Sequence, residues 1–205
     1  MNPGGSPYQD VAQTTLDAVA SVQLGLKTVP GHSNGAEYTN GALSKSLSSL
    51  AKLIKMNVGV NVATVDFGSW DMHNSLPFEF AQRTTEFSQA INAFWTDMAD
   101  YHSKITFVTM TEFGRRLQEN ANQGTDHGSG SAMMVLSGNV KGGKIYGNWP
   151  GLAANQLNNG DLVATTDYRQ VLSEIMITRH GEQNLESVFP TVQYNPLGFM
   201  NSLSS

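Results

Sequence analysis

Apolar residues along the chain fall into two spacings. Helical spacing runs through Val11, Thr15, Ala18, Val19, Val22 and Leu26, and again through Leu43, Leu47, Leu50, Leu53 and Ile54. The first set predicts an amphipathic helix over Tyr8 to Leu26, packed against another element. The second predicts a helix from Leu43 to Met56, with Lys52 and Lys55 placed to complement its C-terminal dipole. The longest helical pattern extends from Phe78 to Tyr101, where Phe80, Phe87, Ile91, Phe94, Trp95 and Met98 form a stripe that reads as core packing. A fourth helix, capped by Thr166 or Asp167 and carrying Val171, Leu172, Ile175 and Met176, reaches Arg179 and closes at His180 and Gly181. The other spacing is short, β-branched and strand-like. It covers Val58, Val60, Val62, Ala63 and Val65, then Ile105 to Met110, then Ala132 to Leu136. Turn chemistry fills the rest: 27–40, with Pro30, Gly31, Asn34 and Gly35, and the run SGNVKGGKIYGNWPG from Ser137.

A strand, a long helix and a second strand are the pattern of a right-handed crossover, so the expected class is α/β with a mainly parallel sheet. In such sheets ligands gather at the carboxyl ends of the strands. Two loops loaded with ionisable groups follow the first two strands and are expected on one edge. The first holds Asp71 and His73, a carboxylate and an imidazole two positions apart. The second holds Glu112, Arg115, Arg116 and, between Gly124 and Gly128, the adjacent pair Asp126 and His127. Oxygen and nitrogen donors of this kind suit a borderline divalent ion, zinc or manganese. Alone, the first pair reads sooner as a hydrogen-bonded turn and the second as a flexible polar loop; together on one edge they point to a metal site. Arg115 either grips an anionic substrate through its planar fork or pairs with Glu112 or Glu119. His180 beside a glycine is a capping residue or a further ligand. His32 and His102 read as loop and helix-end histidines, and Lys141 and Lys144 around Gly142 and Gly143 as a solvated hairpin.

Composition narrows this picture. With 205 residues and 40% hydrophobic content the chain can bury a core, and a single domain is the simplest organisation. A net charge of -5 with only 14% charged residues leaves no basic face for nucleic acid. No apolar run has the length of a membrane span, and MNPGGSPYQD lacks the regions of a signal peptide, so the chain as given is expected where it is made, in the cytoplasm. There is no cysteine, so a metal must be held by His, Asp and Glu.

The succession VDFGSWDMH (65–73), TEFGRRLQEN (111–120), GTDHGSGSAMMVLSG (124–138), VKGGKIYGNWPGL (140–152), TTDYRQVLSEIMITRHG (165–181) and VFP (188–190) resembles the bacterial family called domain of unknown function 1501. That family is placed in the alkaline phosphatase superfamily, with sulfatases, phosphodiesterases and cofactor-independent phosphoglycerate mutases. The resemblance implies a partial alkaline-phosphatase-like three-layer sandwich, with helices on both faces of a mainly parallel sheet. It likens the chain to the C-terminal half of longer family proteins: a single truncated domain with a helix-and-loop lead (1–40), a metal-site core (41–190) and an irregular tail (191–205). Asp71 and His73 match the family's W-D-x-H and resemble the superfamily's first-metal ligands. Asp126 and His127 match its D-H-G and resemble the second-metal pair, and Glu112 and Arg115 match E-F-G-R. His180 is the one candidate for a further metal histidine, although its position matches no motif. The superfamily's N-terminal Asp ligand and side-chain nucleophile have no matching segment.

The expected function is therefore a divalent-metal-dependent hydrolase of phosphodiesters or phosphotriesters, with metal-bound water as nucleophile. Asp71, His73, Asp126, His127 and His180 are the candidate metal ligands, zinc or manganese the expected cofactor, and Arg115 and Glu112 the candidate catalytic residues. Two alternatives stand beside it: a non-catalytic, oligomerising accessory module or relic, and a sulfatase-like esterase or phosphomutase, which needs a nucleophile the sequence does not display. The expected partners are a small anionic or phosphoester substrate and a second copy in a homodimer, with neither nucleic acid nor membrane. The resembled family is largely exported.

Overall fold

Five α-helices, two single-turn 3-10 helices and four very short strands make up the regular structure of the computed structural model, which describes residues 7–29, 31–181 and 184–202. The start of the Gly/Pro-rich lead, Pro30 and the last residues of the tail lie outside that set. Two compact units are distinguishable: residues up to Gly68 with Arg83–Ala99, and Ser69–Gln82 with Asp100 onward.

The first unit is helical. α1 (Pro7–Thr28) forms where its spacing predicts, but Val11, Leu16 and Leu24 are more than half exposed, so its apolar residues cover little. α2 (Ala42–Lys55) buries Leu43, Ser44, Leu47 and Ala51, residues three and four apart on one face. α3 (Leu76–Asp97) buries Ala90, Ile91, Ala93 and Phe94 in this unit, with Met98 just beyond its end. Phe67 stacks on Phe87 at 6.2 Å. Lys55 does more than complement a dipole. Its Nζ lies 2.5 Å from Asp97 Oδ1, with both side chains buried, and also donates to Ser33 Oγ and Gly31 O. Asp97 further accepts from Ser33 N and Tyr38 Oη, which satisfies a buried carboxylate on several sides.

The second unit is organised on one long, irregular antiparallel ribbon. β1 (Thr106–Val108) pairs with β4 (Val135–Ser137), Thr106 opposite Ser137 and Val108 opposite Val135. Further along the same two arms, β2 (Gly114–Arg115) pairs with β3 (His127–Gly128), Gly114 opposite Gly128 and Arg115 opposite His127. Between the two ladders Thr109 N donates to Met134 O, and beyond them Arg116 N donates to Asp126 O and Asn120 N to Gly124 O. The pairs nest concentrically about the Asn120–Gly124 turn, so residues 105–138 double back on themselves. α4 (Tyr168–His180) is capped by Asp167, whose carboxylate accepts from Arg169 N, and ends on Gly181 in the left-handed conformation. Its Val171 packs with Phe199 and Met200. Buried Glu174 fastens that C-terminal stretch by accepting from the N–H groups of Leu197, Gly198 and Met200 at 2.8 Å each. α5 (Leu185–Val188) is a single turn.

The expected three-layer sandwich with a mainly parallel sheet is thus not the fold. Both sheets are two-stranded and antiparallel, and the protein is rich in helix. Two physical reasons account for the difference. The valine run after α2 takes up no ladder: among the described residues no strand forms over 58–67, and Val58, Val60 and Val62 are 45%, 39% and 81% exposed. Asn57 and Gly59 have positive φ and interrupt the extended backbone where a strand would begin. Without that strand there is no crossover, and the second strand pairs instead with the third, which the chain reaches by a simple reversal. Among the described residues no helix is long and apolar enough to cross a membrane.

Candidate metal centre

The ribbon explains how residues distant in sequence meet. Concentric pairing sets Arg115 directly across from His127 and brings Asp126 beside Asn120. The segment carrying Asp71 and His73 then docks on the turn of the ribbon: Thr125 N donates to Met72 O, Ser75 N to Asn122 O and Leu76 N to Gln123 O, while Asn120 Nδ2 donates to His73 O at 3.0 Å. Met72, between the two candidate ligands, is buried and anchors the segment. Gly124 permits the approach, since a Cβ there would lie 2.1 Å from the His73 carbonyl carbon.

Three donor atoms converge as a result. Asp71 Oδ1 lies 3.0 Å from His73 Nε2 and 3.0 Å from His127 Nε2, and the two imidazole nitrogens are 3.1 Å apart. Ligand atoms around a tetrahedral zinc with bonds of about 2.0–2.1 Å are separated by about 3.3 Å, so an ion about 1 Å above this triangle reaches all three. The side chains of Asp71, His73 and His127 are roughly half exposed, which leaves the remaining coordination positions open to water or substrate. Among the described residues this is the group of at least three His, Asp or Glu side chains whose donor atoms converge closely enough for a cation.

Behind the triangle stands a supporting layer. Asp126 Oδ1 is 3.2 Å from His73 Nδ1 and accepts a hydrogen bond from Asn120 Nδ2 at 3.1 Å. Both ring nitrogens of His73 face a carboxylate; with an ion on Nε2, the proton of a neutral His73 sits on Nδ1, and Asp126, which only accepts, then holds it there. The His127 ring stacks on Phe113 with centroids 3.9 Å apart. Arg115 donates from Nε to Thr125 Oγ1 at 3.0 Å, from Nη2 to Thr125 O and from Nη1 to Asp71 Oδ1. One N–H on each terminal nitrogen is left over. Partial loss of hydration pushes the Asp71 carboxyl up, but hydrogen bonds from His127 and Arg115, with the nearby imidazoles, outweigh it and hold the group below its ordinary range. Hydrogen bonds from Asn120 and His73 hold Asp126 low as well.

The structure therefore brings together Asp71, His73, His127, Asp126 and Arg115, and gives them unequal places. Asp126 faces the back of His73 rather than the triangle. Arg115 pairs with Asp71, not with Glu112 or Glu119. Glu112 is exposed and hydrogen-bonds to no described residue. His180 sits exposed at the end of α4, outside the converging group. Sequence reasoning passed over Asn120, Phe113 and Thr125. Asn120 carried one local signal, an amide four residues before Gly124 that folds the turn by accepting from Asn122 N and Gly124 N.

A family model described as protein of unknown function (DUF1501) matches residues 24–185. The chain belongs to that family. Every residue of the triangle and its supporting layer falls within the matched span. Neither a curated protein nor a solved structure matches the chain.

Proposed function

We propose that this DUF1501 protein is a divalent-metal-dependent hydrolase of phosphate esters, acting on phosphodiesters or phosphotriesters with zinc or manganese at the Asp71–His73–His127 triangle. The observation that carries this reading is the meeting of three donor atoms within 3.0–3.1 Å of one another beside a guanidinium with N–H groups to spare. An ion held there supplies Lewis-acid polarisation and a water of lowered pKa. Charge supports an anionic substrate: Asp71 and Asp126 against Arg115 leave a net charge of -1, which a divalent ion turns to +1. Asp71 is then shared between the ion and Arg115, and the spare Arg115 N–H groups are positioned to hold a nonbridging oxygen. Asp126 keeps His73 in the ligating tautomer. Glu112 is exposed three residues before Arg115 on the same arm, and a part for it in proton transfer rests on the E-F-G-R match alone. Kinship with the alkaline phosphatase superfamily, and correspondence to the C-terminal half of longer members, belong to this proposal; they rest on the succession of W-D-x-H and D-H-G motifs and not on the sheet.

The test is metal content and turnover together. Protein purified without added metal is titrated with zinc or manganese and assayed with bis(4-nitrophenyl) phosphate, alongside His127→Ala and Arg115→Ala. Stoichiometric binding lost in His127→Ala, with turnover that chelation removes and metal restores, is expected. Arg115→Ala should keep the metal and lose most turnover. Turnover indifferent to chelator, or no binding of either metal, would sink the reading. A second reading, a non-catalytic module that dimerises, is favoured by one observation, the exposed apolar residues of α1. A monomer by light scattering at micromolar concentration removes it.

A further inference from the structure

The second unit contains a cleft of about 540 Å³, within the range of about 300–1,000 Å³ usual for small-molecule sites. It lies among the strand ending at Ser137, the turn-rich segment after it, α4 and the C-terminal stretch. Met133, Val135, Tyr146, Trp149, Leu162 and Phe199 give it apolar walls. Val171, Phe199 and Met200 form the buried cluster against which part of those walls packs. Ile145 and Trp149 also line it, yet they are 99% and 72% exposed. Lys144 is the one charged group among the described residues that line it, and no carboxylate does.

The cleft is tied to the two arms that carry Arg115 and His127. Ser131 at its edge is four residues beyond His127, a span of at most about 14 Å even when fully extended. Its hydroxyl lies 2.9 Å from that of Thr111 on the opposite arm. On another wall, Leu162 follows Asp161, which accepts from Arg116 Nε at 3.0 Å and Ser129 Oγ at 3.3 Å. One wall is thus fixed to Arg116 and Ser129, beside Arg115 and His127, and the other to the same two arms four residues away.

We infer that the cleft holds the hydrocarbon arm of an anionic amphiphile whose phosphate head sits at the Asp71–His73–His127 triangle, so that the substrate is an ester with a long alkyl chain. The choice of head group rests on the hydrolase reading above. The choice of arm rests on the apolar walls, the lone cation and the absence of carboxylates. A short, fully polar ester would leave these walls unused.

Alkylphosphonates from butyl to decyl, which are not hydrolysed, separate the two parts when titrated calorimetrically into the zinc-loaded protein below their micellar concentrations. Affinity should rise about fourfold per methylene until the cleft is filled, the factor that follows from about 0.8 kcal/mol per buried methylene. Ile145→Asp and Trp149→Ala, both at exposed side chains, should flatten that rise without changing the circular dichroism spectrum. Affinity independent of chain length, or a rise that both variants leave intact, overturns the proposal. Turnover of bis(4-nitrophenyl) phosphate reads the other part separately. Chain-length dependence without turnover leaves an amphiphile-binding cleft and sinks the hydrolase, whereas turnover with flat affinity does the reverse.

Discussion

Asp126 stands next to the candidate ligand His127 in sequence, but its oxygen faces the far nitrogen of His73, and that difference has a measurable size. Replacing a carboxylate that orients a ligating histidine weakens metal binding about 10- to 100-fold, because the imidazole loses its preferred tautomer and orientation but remains available. The local geometry places individual substitutions within that range. A single oxygen, Oδ1, serves both His73 Nδ1 and Asn120 Nδ2. Asp126→Asn can present its amide oxygen to both donors, so it loses charge and keeps geometry; about tenfold weakening is expected. Asp126→Ala removes the acceptor and frees His73, which places it near the hundredfold end. His127→Ala deletes one corner of the triangle and should weaken binding beyond either. Competition against a chromogenic chelator gives the dissociation constants, and circular dichroism reports whether each variant is folded. The expected order is wild type, Asp126→Asn, Asp126→Ala, His127→Ala. Equal losses in Asp126→Ala and His127→Ala would make Asp126 a direct ligand, and wild-type affinity in Asp126→Ala would remove its orienting role. Either outcome refutes the assignment.

Three further expectations concern the surrounding structure. Asp97→Ala leaves the nearly inaccessible Lys55 ammonium without its counter-charge and should destabilise the protein by about 3–5 kcal/mol in urea unfolding; a loss below about 1 kcal/mol would show that the pair contributes little. Burial, then the charge and hydrogen bond of Asp97, raise the Tyr38 hydroxyl far above its ordinary value of 10.0. The folded state therefore keeps a proton that the unfolded chain gives up, so this contribution is complete below pH 10.0 and declines as pH climbs toward the folded-state value. Tyr38→Phe should flatten the alkaline loss of stability, and an unchanged pH profile would contradict the assignment. Gly124→Ala puts a methyl carbon against the His73 backbone and should shift the docked segment by more than the about 0.5 Å a site tolerates, lowering metal affinity at least about tenfold; unaltered affinity would mean the segment adjusts freely.

What could be read from the sequence was local. α2 and α4 follow from the spacing of Leu43, Leu47, Leu50, Leu53 and Ile54 and from Asp167 and Gly181 at the ends of α4, because helical periodicity and caps are written within a few residues. Asp71, His73, Asp126 and His127 stood out by residue type and glycine context. The sheet did not. A run such as Val58 to Val65 has the composition of a strand, but a strand exists only where another supplies its hydrogen bonds, and spacing along one segment carries no information about partner or direction. The symmetry of apolar runs about the Asn120–Gly124 turn, Ile105 to Met110 on one arm and Ala132 to Leu136 on the other, was the available sign of a ribbon, diluted by long polar stretches. The same oversight limited the ion-pair partners weighed for Arg115 to Glu112 and Glu119, the carboxylates nearest in sequence. Its partners are Thr125 on the opposite arm and Asp71 from a segment more than forty residues away.

Concentric pairing also bears on the order in which the centre comes into being. Closing a ribbon from its turn costs little loop entropy at each step, so Arg115, Asp126 and His127 can meet early. Asp71 and His73 arrive by a separate closure spanning roughly fifty residues, held by a handful of hydrogen bonds to the turn. An ion that binds only the closed triangle would stabilise that last step by about 2.7 kcal/mol at a hundred times its dissociation constant. The metal would then act as the latch on assembly, and slow loss of the ion would be read first as fraying of residues 69–75, ahead of unfolding of the ribbon itself.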